Sequence, residues 1–145
     1  MFYKGSYRIY IKIPFLPFGI KIPRFSLQNT NSLNTFLAGM IMNNLERKRY
    51  LRYVKHKSFN YKFKPCTYNL NPTYFCFFGL FSIVRHCRVF TSDELLKIGE
   101  PEHSPFSEEK CSSMGWYKGQ LYEIDYGDFS MWAYNSNDLR EVDYR

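Results

Sequence analysis

Acidic residues are almost missing from the first ninety positions, where Glu46 stands alone against 15 Lys and Arg, a net charge of +14. With so few carboxylates there, either the acidic remainder of the chain neutralises that part within one fold, or the basic part faces a polyanion while the acidic part faces solvent or a protein. Long apolar runs are also lacking: no stretch approaches the roughly 18 uncharged apolar residues that a membrane-spanning helix needs. Lys12, Pro14 and Pro17 break the first apolar segment and no small-residue cleavage site follows, so no secretory signal is expected and cytoplasmic residence is. The four cysteines, at positions 66, 76, 87 and 111, form no CxxC pair, which argues against a structural zinc site and for free cysteines acting as small hydrophobes. Gly79, Gly99, Gly115 and Gly119 are isolated and no GKS or GKT occurs, so a phosphate-binding loop is not expected.

What the chain has is aromatic mass and divided charge. Aromatic residues make up 20% of its 145 positions, too much for a disordered polar chain, and the length suits one domain. Residues 91–145 hold 12 acids and 5 bases, a net of −7. The expected organisation is a single domain over 1–145, with a basic part at 1–90, an acidic β-rich part at 91–145, and a Pro- and Ser-rich surface loop at 100–113. Even complete pairing with the acidic part leaves positive charge over, which is expected to remain on the surface.

Periodicity predicts an α+β fold, one long amphipathic helix packed on a small antiparallel sheet. Tyr7, Ile9, Ile11 and Ile13 alternate with Arg8, Tyr10 and Lys12, the period-two pattern of a half-buried strand. Pro14 and Pro17 stop it, and residues 20–25 form a second short extended segment; this region can also be read as a loop that lays aromatics on a membrane or partner. Asn31 or Ser32 caps a helix in which Leu33, Phe36, Leu37, Met40, Ile41 and Leu45 recur every three or four positions, continuing through residue 54. Residues 60–63 alternate as a strand, residues 75–84 suit one or two central strands, and Thr91 or Ser92 caps a short helix over 93–98 that Gly99 ends.

The acidic end reads as β structure. Residues 121–126 form a strand, Gly127-Asp128 turn it into 129–134, and a second turn at 135–138 precedes 139–144. This succession of aromatic strand, Gly-Asp turn, aromatic strand and closing DLREVDY segment resembles the closing hairpins of small SH3-like barrels. The resemblance covers about 30 residues and implies a fold only.

Catalytic chemistry finds few components. His86 and Cys87 are adjacent, and adjacent strand residues point to opposite faces, so they make a poor nucleophile pair. Glu123 and Asp125 share one strand face and Asp128 sits in the following turn, within reach of one divalent ion, which defines a metal-dependent enzyme as a distant third reading. No cofactor, metal site or catalytic residue is expected. The leading reading is a small noncatalytic binding protein. Arg47, Lys48, Arg49, Arg52, Lys55, Lys57, Lys62 and Lys64, interleaved with Tyr50, Tyr53, Phe59, Tyr61 and Phe63, are the candidate contacts for nucleic acid or an acidic nucleoprotein surface. The alternative is an inhibitor or adaptor that grips a host protein through Trp116, Tyr117, Phe129, Trp132 and Tyr134. The Asn, Tyr, Phe and Lys bias fits an AT-rich microbial or phage genome.

Overall fold

The computed structural model describes residues 2–25, 32–58, 69–101 and 110–127. The fold is α+β: the described residues form two antiparallel sheets, one long helix and one short one. The segment expected as a strand at 60–63 and the hairpins expected beyond residue 127 lie outside the described residues. The chain divides into two compact units: the first takes Met1–Arg47 and Pro72–His86, the second Lys48–Asn71 and Cys87–Arg145.

The first unit is built on a five-stranded sheet of β1 (Phe2–Lys4), β2 (Arg8–Lys12), β3 (Phe18–Pro23), β4 (Thr73–Phe77) and β5 (Phe81–Arg85), in the order β1-β2-β3-β5-β4. Every pairing is antiparallel. Residues 75–84 therefore make a hairpin of two strands, closed by the bond from Leu80 N–H to the Phe77 carbonyl at 2.8 Å. Helix α1 (Ser32–Ser58) begins where the sequence places it and runs one turn beyond residue 54. Its first half, to Arg47, lies in this unit and packs on the sheet. Gly39 permits the close approach: a Cβ there would sit 2.5 Å from the Tyr7 carbonyl oxygen and 3.0 Å from Pro23.

On both β2 and α1 the fully buried positions are mostly polar. The alternation at 7–13 does form a strand, but the covered side carries Arg8, Tyr10 and Lys12 and the isoleucines occupy the other side. Register extends this division across the sheet. Arg8 lies opposite Pro23, Tyr10 opposite Lys21, Lys21 opposite Ser82, and Val84 opposite both Gly19 and Thr73, so these residues share the helix-covered face. The helix likewise buries Gly39, Asn43 and Glu46, while Leu33, Leu37 and Ile41 are exposed and Phe36, Met40 and Leu45 are half-buried. Apolar spacing does not name the packed side here, because this interior is held by charge. Glu46, with no exposed surface, accepts from Arg8 at 2.7 Å and from Lys21 at 2.8 and 2.9 Å.

The second unit contains the remainder of α1, helix α2 (Ser92–Ile98) and a three-stranded antiparallel sheet, β6 (Arg88–Val89), β7 (Met114–Tyr117) and β8 (Gln120–Glu123). Lys118 and Gly119, both at positive φ (49° and 77°), make the two-residue turn that joins β7 to β8 with the twist a tight hairpin requires. Strand β8 ends at Glu123, three residues before the expected end. There its backbone turns to exchange bonds with Asn69 and Asn71, at 2.8 and 2.9 Å. Tyr53, Leu70 and Tyr126 form the apolar centre, and Arg49 donates to the Tyr126 carbonyl at 2.6 Å. Thr91 caps α2 in a full capping box with Glu94, and Gly99 closes it, both as the sequence indicates.

Replacing Glu46 by Gln should remove about 3–5 kcal/mol of unfolding free energy, because it leaves two buried cations without their counter-charge. Urea denaturation of the variant measures this. Gly39→Ala should also lower stability, by about 1–3 kcal/mol, against the roughly 1 kcal/mol that helix propensity favours, because the new methyl meets backbone atoms of the sheet.

Candidate functional site

Three features of the structure compete for a functional role. The first is the buried polar cluster. Asn43 accepts from Arg8 at 3.3 Å and from Ser82 Oγ at 3.4 Å, and its Nδ2 donates to the carbonyls of Gly79 and Lys21 at 2.9 and 3.4 Å. Arg47 Nη1 donates to the Thr73 carbonyl at 2.6 Å. Two cations and one anion leave a local excess of one positive charge in a region shielded from solvent. Each head group is engaged by protein atoms and the cluster is closed to ligands, so its chemistry is positional: it fixes α1 on the sheet.

The second feature is the basic run of α1. Arg47 is half-buried and Arg49 buried, their guanidinium groups turned to backbone carbonyls. Lys48, Arg52 and Lys55 are exposed at i, i+4 and i+7, hence on one side of the helix. Lys57 lies on the same helix with its side chain outside the described residues, and Lys62 and Lys64 fall outside them altogether. Of the aromatics considered for protein contact, Trp116 and Tyr117 are half-buried on β7. Trp116 packs against Phe90 at 6.2 Å between ring centroids, and Lys118 lies over the Tyr117 ring. Phe129, Trp132 and Tyr134 lie outside the described residues.

Among the described residues, the His86 ring and the Cys76 and Cys87 thiols are engaged by other side chains. His86 Nδ1 is 2.7 Å from the Tyr10 hydroxyl, with the rings stacked at 6.0 Å, and burial together with the charge of Lys12 pushes its pKa down. The Cys87 thiol is buried and donates to Asn71, and the Cys76 thiol donates to Asn44. Burial pushes the Cys76 pKa up, away from the thiolate that reactivity requires. Glu123 is fully buried, Asp125 follows the end of β8 and Asp128 is outside the described residues. Among the described residues, no group of three or more His, Cys, Asp and Glu is placed to hold a metal.

The third feature was not singled out from sequence. The sheet side opposite α1 carries Phe2, Ile9, Ile11, Ile20, Ile22, Phe75, Phe77, Phe81 and Ile83 as one continuous apolar surface. A register shift between Thr73 and Phe75 adds Tyr74 to it, edge-on to Phe18 at 5.4 Å. Phe2, Ile11, Phe75 and Phe77 are exposed and Ile9, Ile20, Ile22, Phe81 and Ile83 half-buried. Its signal was present, since Ile9, Ile11, Ile20 and Ile22 alternate strictly, but alternation marks two faces without naming the covered one.

No protein-family model, curated protein or solved structure matches this chain. The functional reading therefore rests on the residues themselves.

On the surface of the second unit, Arg88 and the Thr91 backbone both donate to Glu94 and hold its carboxyl well below the ordinary glutamate range, at about 2. A lowered carboxylate pKa stabilises the folded state above the unfolded value and loses that contribution as pH falls toward 2. In a carboxyl-detected NMR titration the Glu94 midpoint should move upward in Arg88→Ala. An unchanged midpoint would show that the cap alone sets it.

Proposed function

We propose that this is a noncatalytic binding protein that engages nucleic acid, free or within a nucleoprotein, through the basic stretch that begins on α1. The observation that carries the reading is the row Lys48, Arg52 and Lys55, exposed along one side of the helix in a stretch, 47–64, without a single acid. Such a row follows a phosphate backbone without reading base edges, which suits sequence-tolerant binding. Lys57, Lys62 and Lys64 extend the same charge along the chain, with Phe59, Tyr61 and Phe63 between them as stacking groups. Arg47 and Arg49 support this surface from beneath by anchoring the helix.

Fluorescence anisotropy with labelled single- and double-stranded oligonucleotides of about 20 nucleotides tests the reading. Affinity should fall steeply with salt. Charge reversal of Lys48, Arg52 and Lys55 together should weaken binding by at least about tenfold near 0.1 M salt and flatten the salt slope by roughly 2. Binding indifferent to both salt and reversal would remove it. Circular dichroism should show the variant folded, because all three side chains face solvent.

A further inference from the structure

We propose that the first unit docks on an anionic lipid surface through the open side of its sheet and two phenylalanine-tipped turns. This inference is independent of the nucleic-acid reading, which rests on Lys48, Arg52 and Lys55 of the second unit.

The unit is polar within and apolar without. Arg8, Lys21, Asn43, Glu46 and Ser82 lie buried between helix and sheet, whereas five isoleucines and four phenylalanines face outward on the other side. No element of this unit covers that side among the described residues. Phe2, Ile11, Phe75 and Phe77 are exposed there and Ile9, Ile20, Ile22, Phe81 and Ile83 half-buried, so the side presents contiguous apolar area to water, the property that marks a protein or membrane contact.

The turns give a second, separate observation. Phe15, fully exposed, and Phe78, 74% exposed, are both held at positive φ, 62° and 48°. A bulky residue pays a steric penalty in that conformation, where Asn or Gly would be at ease, and strain of this kind gathers at functional positions. Each has an exposed leucine close by, Leu16 and Leu80. Phe78 also meets Phe77 edge-on at 4.9 Å, continuous with the apolar side of the sheet.

Charge selects the occupant. The first unit holds seven Lys and Arg and one acid; Arg8, Lys21 and that acid, Glu46, are buried together on the far side of the sheet, which leaves five cations and no acid toward solvent, Arg85 among them opposite Phe18 on the open side. Lys4 lies on the open side, opposite Ile9 on the neighbouring strand. A second copy would bring five unburied cations against five, with no acid on either side. A nucleic-acid strand offers phosphates, but the centre of the surface is isoleucine, which has no π-face for bases, and Phe77 and Phe81 already stack on each other at 5.6 Å. Acyl chains and acidic headgroups meet both requirements together, as they do for amphipathic interfacial helices. No described helix is long and apolar enough to cross the bilayer, so the contact proposed lies along its surface.

Flotation of the full chain with vesicles tests this, comparing pure phosphatidylcholine with vesicles containing about 30% phosphatidylglycerol. The chain should float at least about tenfold more with the anionic vesicles, and high salt should reduce the bound fraction. Phe15→Asn with Phe78→Asn suits the left-handed backbone, so thermal unfolding should be unchanged or raised while flotation drops severalfold. Ile11→Glu, at an exposed position on the open side, should weaken flotation similarly, with circular dichroism confirming the fold. Absence of flotation, or variants that float like the parent, overturns the proposal. So does a stable dimer that Ile11→Glu dissociates, or capture of an oligonucleotide that is lost in the Phe15/Phe78 variant and retained after reversal of Lys48, Arg52 and Lys55.

Discussion

The ion cluster around Glu46 is the constraint on which the first unit depends. Two cations from neighbouring strands, Arg8 on β2 and Lys21 on β3, converge on one carboxylate from the helix. Charges removed from water must find partners of good geometry or destabilise the fold by several kcal/mol, so the cluster admits few alternative helix positions. Asn43 extends the restriction by joining the cluster to Ser82 of β5 and to the carbonyl of Gly79. An apolar interface of the same area would tolerate a helix shifted by a turn. This one forbids it.

From that constraint the unusual surface follows. Side chains on a strand alternate, so placing Arg8, Lys21 and Ser82 beneath the helix places Ile9, Ile11, Ile20, Ile22 and Ile83 on the opposite side. The same logic operates on α1, where turning Asn43 and Glu46 inward turns Leu37 and Ile41 outward. Electrostatic pairing inside and apolar exposure outside are thus two descriptions of one choice. In the second unit burial is more conventional: Tyr53, Leu70 and Tyr126 form the centre, and Arg49 serves a backbone carbonyl.

Local signals in the sequence were dependable where the physics is local. The start of α1, the Thr91 capping box, the Gly99 stop and the strand at β2 depend on a few neighbouring residues and were all legible. The buried faces were not, because they depend on partners distant in the chain. Glu46 was visible as the lone acid of its region, but its pairing with Arg8 and Lys21 spans 38 and 25 positions. The basic run shows the same limit. Its composition distinguishes none of its members, whereas helical phase turns Arg47 and Arg49 inward and leaves Lys48, Arg52 and Lys55 outside.

The chain order of the five-stranded sheet bears on its birth at the ribosome. Strand β3 ends at Pro23, yet the strand that completes its other edge, β5, begins at Phe81, after the whole of α1 has been made. At typical elongation rates the interval is on the order of several seconds, long compared with hairpin closure in microseconds. During translation the nascent β1–β3 meander therefore waits with one flank unzipped, and a chaperone or a neighbouring nascent chain has its opportunity before the sheet is sealed.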